Sequence, residues 1–223
     1  MTIFEWPTSL VPHNISIRPP RKTLGLTTSL TEFTQAVPAI RAPFGMTLEF
    51  DALFGDDVLA YRTLLALLEG RANAVRVPMF DMWFAATGAQ ISYGLVGHSD
   101  GTSFSDGALY LTDDLAGVLV TAVQGARYIT ADFGAYGQIL QAGQYFGLGD
   151  QPYIATSVKW TGTVAEIRCA PTLRQDYTAQ PLRLRPVMIG RLTGDDVGEH
   201  ALKSMRSTTP TLDFVETFNG PLS

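Results

Sequence analysis

Residues 33–83, FTQAVPAIRAPFGMTLEFDALFGDDVLAYRTLLALLEGRANAVRVPMFDMW, decide the fold because three structural patterns follow one another there. Residues 44–50 carry an apolar side chain at every second position, which predicts a strand with one buried face. From residue 57 to residue 69 the apolar spacing becomes helical, and we predict one amphipathic helix. The aspartates Asp56 and Asp57 at its start favour the helix dipole and are expected to cap free N–H groups. Gly70 is expected to supply the left-handed residue that ends the helix.

The residues after the helix return to strand spacing, with Val75, Val77 and Met79 predicted to face inward. The inward side chains of the first strand are Phe44, Met46, Leu48 and Phe50. The apolar stripe of the helix consists of Val58, Tyr61, Leu64, Leu65 and Leu68. The stretch therefore predicts a strand–helix–strand unit in which the helix lies on a sheet.

The segments on either side of this unit extend the β pattern. Residues 14–18 and 23–27 alternate around the turn PPRK, which predicts a hairpin or a bent strand pair. Residues 1–12 have no sustained period, so we predict an irregular arm, of the kind that often docks on a neighbouring subunit. Near the C-terminus, residues 180–192 predict one strand with an arginine-bearing face, and residues 211–218 predict a last strand.

A change of composition after residue 83 predicts an inserted domain. Residues 84–107 are rich in Gly, Ser, Ala and Asp, and short β-like runs return in residues 108–170. Within them QAGQYFGLGDQPYIATSV predicts a hairpin with its turn at residues 147–150. We therefore predict a ring-forming domain of residues 1–83 with 180–223, containing the helix 57–69, and an inserted domain of residues 84–179. The predicted fold class is mainly β: a β-sandwich with one packed α-helix plus a small inserted β-barrel-like domain.

Composition restricts the classes of function. The 223 residues are 46% hydrophobic and carry a formal charge of −5, which argues against a nucleic-acid binder because phosphate neutralisation needs clustered Lys and Arg. The single cysteine, Cys169, allows no disulfide within the chain, which fits assembly in a reducing cytoplasm. The first residues lack the pattern of a secretion signal, and the apolar runs are too short to cross a bilayer, so we expect no membrane insertion.

No residue pattern indicates catalysis. His13, His98 and His200 are isolated from one another and are expected at the surface. The aspartates lack calcium-loop spacing and are expected in turns: Asp100, Asp106, Asp113, Asp114, Asp195 and Asp196. Cys169 lies in the strand-like run EIRCA, so we expect a buried structural residue. We therefore predict no enzyme activity, no cofactor and no metal.

The run FDALFGDDVLAYRTLLALLEGRANAVRVPMFD and the residues before it resemble the amino-terminal part of the distal tail proteins of long-tailed bacteriophages. The resemblance is good over roughly the first 85 residues and loose afterwards. It implies a ring, a hexamer in that family, at the tail tip of the virion. Such a ring connects the tail tube protein to the tail-tip hub proteins and leaves a channel through which DNA passes. Assembly would occur in the host cytoplasm.

A ring requires contacts between copies of the chain. We predict that the strands of residues 14–27 form a sheet edge at the interface, and that three arginines also reach a neighbour. The predicted interface residues are Ile15, Ile17, Leu24, Leu26, Arg62, Arg71 and Arg76.

Two other functions agree with the sequence. The aromatic residues of the inserted domain suit stacking on sugars, as in a carbohydrate-binding or carbohydrate-acting tail protein; they are Trp83, Tyr93, Phe104, Tyr110, Tyr128, Tyr136 and Tyr145. A tail completion or head-to-tail joining protein would differ only in the position of the ring.

Overall fold

The computed structural model describes residues 1–20, 23–28, 34–38, 42–81, 83, 95–96, 110–111, 114–199, 202–203, 206–207 and 209–218. The chain divides into two compact units, residues 1–80 with 187–223 and residues 81–186. The predicted fold class is confirmed as mainly β, with a single α-helix in the described residues, and the sheet of the second unit is barrel-like.

The first unit is built on a six-stranded sheet. Its strands are β1 (Ile3–Glu5), β2 (Asn14–Arg18), β5 (Gly45–Glu49), β6 (Ala74–Pro78), β15 (Val187–Leu192) and β18 (Thr211–Glu216). Across the sheet the order is β1-β6-β15-β18-β5-β2. The β1–β6 pair is parallel, and the other four pairs are antiparallel.

Two short strand pairs complete the β structure described in this unit. They are β3 (Thr23–Thr28) with β4 (Thr34–Pro38), and β16 (Leu202–Lys203) with β17 (Arg206–Ser207).

The predicted strand–helix–strand unit is confirmed. Helix α1 (Asp56–Leu68) connects β5 to β6. The side chains predicted to face inward from these two strands are all buried: Phe44, Met46, Leu48, Phe50, Val75, Val77 and Met79. The C-terminal strands β15 and β18 lie between β5 and β6 in the sheet. The sheet is therefore completed by residues from both ends of the chain.

The helix ends differ in detail from the prediction. At the N-terminus Gly55 occupies the cap position and forms no side-chain cap hydrogen bond, so Asp56 and Asp57 act on the dipole alone. At the C-terminus Glu69 already adopts the left-handed conformation, with φ 48° and ψ 53°, one residue before Gly70. Because Gly70 also has a positive φ, the chain turns sharply from the helix into β6.

Aromatic side chains join the helix to the sheet. The ring of Tyr61 meets the ring of Phe50 edge-on at 5.9 Å, and Trp6 lies 6.4 Å from Phe50 and 6.1 Å from Phe214. The Tyr61 hydroxyl donates to the carbonyl of Gly198 at 2.9 Å. A Cβ on Gly198 would lie 2.7 Å from Leu212 and 2.8 Å from Leu65, so only glycine allows the loop to approach this closely.

Three segments of the first unit differ from their predictions. Residues 14–27 form no hairpin, because β2 pairs with β5 and β3 pairs with β4. The arm predicted for residues 1–12 contains β1, which pairs with β6 of the same chain. The single strand predicted for residues 180–192 is divided at residues 184–186, where Pro186 has no N–H to donate.

The second unit is a six-stranded sheet that nearly closes on itself. Its strands are β9 (Asp114–Ala122), β10 (Tyr128–Asp132), β11 (Tyr145–Leu148), β12 (Gln151–Thr161), β13 (Val164–Ala170) and β14 (Tyr177–Arg183). In the order β10-β13-β12-β11-β14-β9 the two end strands also contact each other. A 3₁₀ helix spans Gly134–Tyr136, and a short pair is formed by β7 (Leu95–Val96) and β8 (Tyr110–Leu111).

The hairpin predicted around residues 147–150 is confirmed. Strands β11 and β12 are antiparallel, and the turn between them includes Gly149 with a φ of 60°. Both strands supply the core of this unit, as do their neighbours, through buried side chains such as Phe146, Leu148, Ile167 and Leu182. The second unit therefore has a hydrophobic core of its own.

Candidate subunit interface

The first unit has two different sheet edges. Among the residues that the structure describes, β2 pairs with β5 on one side only, and β1 pairs with β6 on one side only. An edge strand presents a row of backbone N–H and C=O groups that no strand of its own sheet can bind. The two edges are therefore the candidate surfaces for association of this chain with other strands.

The β2 edge alternates between exposed polar and half-buried apolar residues. Asn14, Ser16 and Arg18 are exposed, whereas Ile15 and Ile17 are half-buried. In the pairing with β5, Ile15 lies opposite Leu48 and Ile17 opposite Met46, which are both fully buried. The two isoleucines therefore form the margin of the core, and part of their apolar surface remains in contact with water.

A polar network ties the β2 edge to the middle of the sheet. The Arg18 guanidinium forms an ion pair with Asp213 on β18. The same carboxylate accepts hydrogen bonds from the hydroxyls of Thr47, at 2.9 Å, and Thr193, at 3.0 Å. Three donors thus converge on one carboxylate, and its hydrogen bonds hold Arg18 against the outer face of the sheet.

Gly45 makes room for Arg18. It lies opposite Arg18 in the β2–β5 ladder, and a Cβ at this position would be 2.7 Å from the arginine Nε atom. A larger residue at position 45 would therefore force the Arg18 side chain to shift.

The β1 edge carries the opposite charge at its margin. Glu5 on β1 forms an ion pair with Arg76 on β6, the residue opposite it in the parallel ladder. Phe4, the preceding residue, lies opposite the buried Val75 and is itself half-buried. The backbone N–H of Ala74 donates to the carbonyl of Thr2 at 3.0 Å, which extends the pairing by one bond.

The residues predicted for the interface do not all lie together. Ile15 and Ile17 are on the β2 edge strand, and Arg76 is on β6, next to the opposite edge strand. Arg62 is exposed on α1, and Arg71 is exposed after it, where its backbone N–H donates to Asp195 at 3.1 Å. Leu24 and Leu26 lie on β3, and their side chains are outside the described residues.

The two charged pairs at the edges were not predictable from the sequence. Arg18 and Asp213 are 195 positions apart, and Glu5 and Arg76 are 71 positions apart. Neither pair has a spacing that indicates contact. Alternation along residues 14–18 places Arg18 on the polar face of its strand, but it identifies no partner.

Among the described residues of the second unit, two aromatic side chains are exposed. Trp83 is 84% exposed and Tyr128 is 55% exposed, whereas Tyr136 and Tyr145 are half-buried. Tyr128 lies opposite Arg168 in the β10–β13 ladder. Tyr93, Phe104 and the Tyr110 side chain lie outside the described residues.

Other polar side chains of the second unit are inside it. The Tyr153 and Tyr177 hydroxyls lie 2.9 Å apart, and both donate to Oε1 of Gln151, at 3.0 and 3.1 Å. Burial raises the pKa of Tyr153. Arg174 is 1% exposed and stacks over the Tyr153 ring, 5.7 Å from its centre. This network fastens β12 and β14 to the loop between β13 and β14.

The predicted burial of Cys169 is confirmed. It is 4% exposed, and burial raises the pKa of its thiol to about 11. A thiol with such a pKa is almost entirely protonated near neutral pH, and the thiolate is the reactive form. Its sulfur donates to the carbonyl of Arg127 at 3.4 Å.

The remaining polar candidates lie at the surface or outside the described residues. His13 is exposed, with its Nδ1 atom 3.3 Å from a carboxylate oxygen of Asp51. Asp195 and Asp196 are exposed. His98, His200, Asp100, Asp106, Asp113 and the Asp114 side chain are among the residues left undescribed. No group of three or more His, Cys, Asp or Glu residues in the described ranges is arranged to hold a metal ion.

Comparisons with known proteins give this chain no family. No protein-family model matches it, and no curated protein matches it. In the part of the chain that the structure describes, no helix has the length and apolar character needed to cross a membrane.

Proposed function

We propose that this chain is a structural component of a phage virion, a distal tail protein that assembles into a ring at the tail tip. The ring would connect the tail tube protein to the tail-tip hub proteins. Its action would be geometric, through the shape that its copies build together, with no catalytic step and no cofactor. The resemblance of residues 50–81 and the mainly β fold with one packed helix support this proposal.

One observation carries the proposal. The sheet of the first unit has two edge strands that differ in sequence, and within the described residues each is paired on one side only. A closed ring needs two different, complementary surfaces on every copy, because its contacts are head-to-tail. The edges β1 and β2 would supply two such surfaces, and pairing them would join backbone groups that no strand of the same sheet binds.

The channel would carry DNA without retaining it. The chain has 21 acidic and 16 basic residues, which gives the formal charge of −5. An acidic balance repels phosphates on average and so would not hold the polymer back. Retention of duplex DNA by the purified assembly at low salt tests this role, and tight binding would contradict it.

The test of assembly compares two glutamate variants by native mass spectrometry. Ser16→Glu adds a negative charge to the exposed face of the edge strand β2, and Thr211→Glu adds the same charge to the exposed face of the internal strand β18. We expect the unmodified chain and Thr211→Glu to assemble, and Ser16→Glu to assemble at least tenfold more weakly, because the added charge would face the acidic edge of the next copy. A solitary chain at high concentration would refute the ring, and equal assembly by both variants would refute the edge as its site.

A carbohydrate-binding role is the second candidate, and the exposure of Trp83 in the second unit favours it. Its indole is 84% exposed, and an aromatic face open to water is what stacks on a sugar ring. A glycan array would test the full chain against Trp83→Ala, with Val11→Ala as an exposed apolar control in the first unit. Loss of a glycan signal in Trp83→Ala alone supports this role, and no signal with the unmodified chain rules it out for the glycans on the array.

The tail completion or head-to-tail joining role would use the same ring elsewhere in the tail. Gold-labelled antibody against the chain, viewed on intact particles by electron microscopy, distinguishes the positions. We expect the label at the tail tip, and label at the head-proximal end would indicate the joining role.

A further inference from the structure

We infer that β2 of one copy pairs in parallel with β1 of the next copy, so that the six-stranded sheet continues across the junction. This inference rests on the proposed ring and adds to it the two strands that meet, their direction and their register. It follows from three properties of the edges, which are strand direction, charge and apolar margin.

The first property is direction. Four antiparallel pairings separate β2 from β6, so β2 and β6 point the same way, and β1 is parallel to β6. The two edge strands therefore run in the same direction. A rotation that places copies side by side around an axis along the strands keeps that direction, so β2 meets the next β1 in parallel. A two-fold dimer would instead pair β2 with β2 in antiparallel fashion.

The second property is charge. Arg18 and Glu5 lie on the same polar face of the sheet, because Arg18 lies opposite Gly45 and pairs with Asp213, while Glu5 lies opposite Arg76. The Arg18 side chain is 53% exposed and the Glu5 side chain is 74% exposed. When the two edges meet, the order across the junction is Asp213, Arg18, then Glu5 and Arg76 of the next copy. Charges alternate along this row, so each junction adds an attractive contact.

The third property is the apolar margin on the other face. Ile15 and Ile17 on β2 and Phe4 on β1 are half-buried, each beside a fully buried neighbour in its own sheet. Joining the edges places these side chains against each other and removes their remaining surface from water. The hydrophobic cores of adjacent copies then become continuous under the sheet.

These properties fix the register. With Arg18 beside Glu5 of the next copy, Ile17 lies beside its Phe4 and Ser16 lies beside its Ile3. Arg18 then meets Glu5, and Ser16 meets Ile3, on the face that carries the charges, and Ile17 meets Phe4 on the apolar face. If the register were shifted by one residue, Arg18 would lie beside an apolar-face residue of the next copy. A shift by two residues would keep charged-face residues beside each other but would separate Arg18 from Glu5.

Disulfide cross-linking tests the junction in the full chain. The Ser16→Cys/Ile3→Cys double variant places thiols on two strands whose separation at the junction suits a disulfide. Asn14→Cys/Ile3→Cys tests the register that is shifted by two. Thr211→Cys/Ile3→Cys is the matched control, since Thr211 is exposed on the same face but lies on the internal strand β18. The native Cys169 is buried and gives little background.

After mild oxidation we expect a ladder of covalent oligomers from the Ser16→Cys/Ile3→Cys variant on a non-reducing gel, and less than a tenth of that yield from the control and from either single variant. A ladder from the Asn14→Cys/Ile3→Cys variant alone would support the parallel junction and overturn the stated register. Dimers from Ser16→Cys alone would overturn the parallel junction in favour of a two-fold contact. A ring in native mass spectrometry without cross-links in either double variant would overturn the junction and leave the proposed function standing. Monomers throughout would overturn both.

Discussion

The two units of this chain both contain a six-stranded sheet, but the two end strands of the sheet are arranged differently in each unit. In the second unit the end strands β9 and β10 contact each other, so the sheet nearly closes on itself. In the first unit the end strands are β1 and β2, with four strands between them. A closed sheet is complete as a single copy, whereas an open sheet offers its edges to other strands. The proposed assembly therefore uses the first unit, whose sheet has two described edges.

A charged residue lies at each open edge of the first unit. Arg18 at one edge and Glu5 at the other hold their partners within the chain and remain more than half exposed. Exposed ion pairs contribute little to the stability of one copy, about 0–1 kcal/mol each. Their main effect is therefore on specificity, because an edge with the wrong charge is repelled.

The largest expected loss of stability comes from truncating one buried phenylalanine in the core of each unit. Phe214→Ala removes a fully buried ring from the first unit, and Phe146→Ala does the same in the second. Each should lower the free energy of unfolding of its own unit by about 3–5 kcal/mol. Chemical denaturation measures this, with the fluorescence of Trp6 reporting on the first unit and that of Trp160 on the second. If both variants shifted a single common transition, the separate-core account would be wrong.

A smaller effect is expected from a buried carboxylate in the open sheet. Glu216 is 5% exposed and accepts the backbone N–H of Phe44 at 2.8 Å. Glu216→Ala leaves that N–H buried without its acceptor and should cost about 1–3 kcal/mol. The matched variant in the second unit is Gln144→Ala, because Gln144 accepts the Gln141 N–H at 2.8 Å.

Thermal unfolding compares these two variants with Glu166→Ala, which alters an exposed side chain of β13. We expect the exposed control to lie within about 0.5 kcal/mol of the unmodified chain. A Glu216→Ala variant as stable as this control would contradict the role given to the carboxylate.

Alkaline pH should destabilise the second unit through Cys169. The pKa of the thiol is about 11 in the folded chain and 9.0 in the unfolded chain. The protonated thiol therefore contributes fully to the free energy of unfolding below pH 9, and this contribution is lost as the pH rises through 11. Between these two values the free energy of unfolding should fall by at most about 1.4 kcal/mol per pH unit because of this thiol. Denaturation at a series of pH values, followed by Trp160 fluorescence, measures it. In the Cys169→Ala variant the free energy of unfolding should fall less steeply with pH. An unchanged pH dependence would contradict the role given to Cys169.

The smallest effect is expected at Trp83. Its side chain is 84% exposed, so Trp83→Ala should change the free energy of unfolding by no more than about 0.5 kcal/mol. Calorimetry of the full chain measures the change. A larger loss would show that the indole is needed for folding and would weaken the case for a glycan surface.

The spacing of apolar residues correctly predicted the strand–helix–strand part of the first unit. The alternation in residues 44–50 and the helical spacing after Asp56 depend on neighbouring residues, so a single sequence contains the signal. The hairpin at residues 147–150 was predictable for the same reason, because its strands are joined by a short turn with glycine.

Pairing between distant strands was not predictable in this way. Strands β15 and β18 enter the sheet between β5 and β6, more than a hundred positions along the chain, and alternation does not state which strand lies beside which. The three residues of β1 are too few to show a period, so the segment was predicted as an irregular arm. The hairpin predicted from residues 14–18 and 23–27 is wrong because strands that are close in sequence need not pair, and here β2 pairs with β5 and β3 with β4.

The candidate interface was only partly predictable for the same reason. Ile15 and Ile17 were identified from their own alternation. Asp213 binds Arg18 and lies on β18, an internal strand of the sheet that is far from Arg18 in sequence. Only the pairing of β2, β5 and β18 brings the two residues together. Charge complementarity between the two edges is thus a property of the fold and of no single segment.

Sedimentation velocity of the unmodified full chain, over a hundredfold range of concentration, tests the central claim most directly. Edge-to-edge joining of the first unit predicts one discrete closed oligomer that forms with rising concentration, a hexamer if the resemblance to distal tail proteins holds. A chain that sediments as a monomer at every concentration would contradict the account.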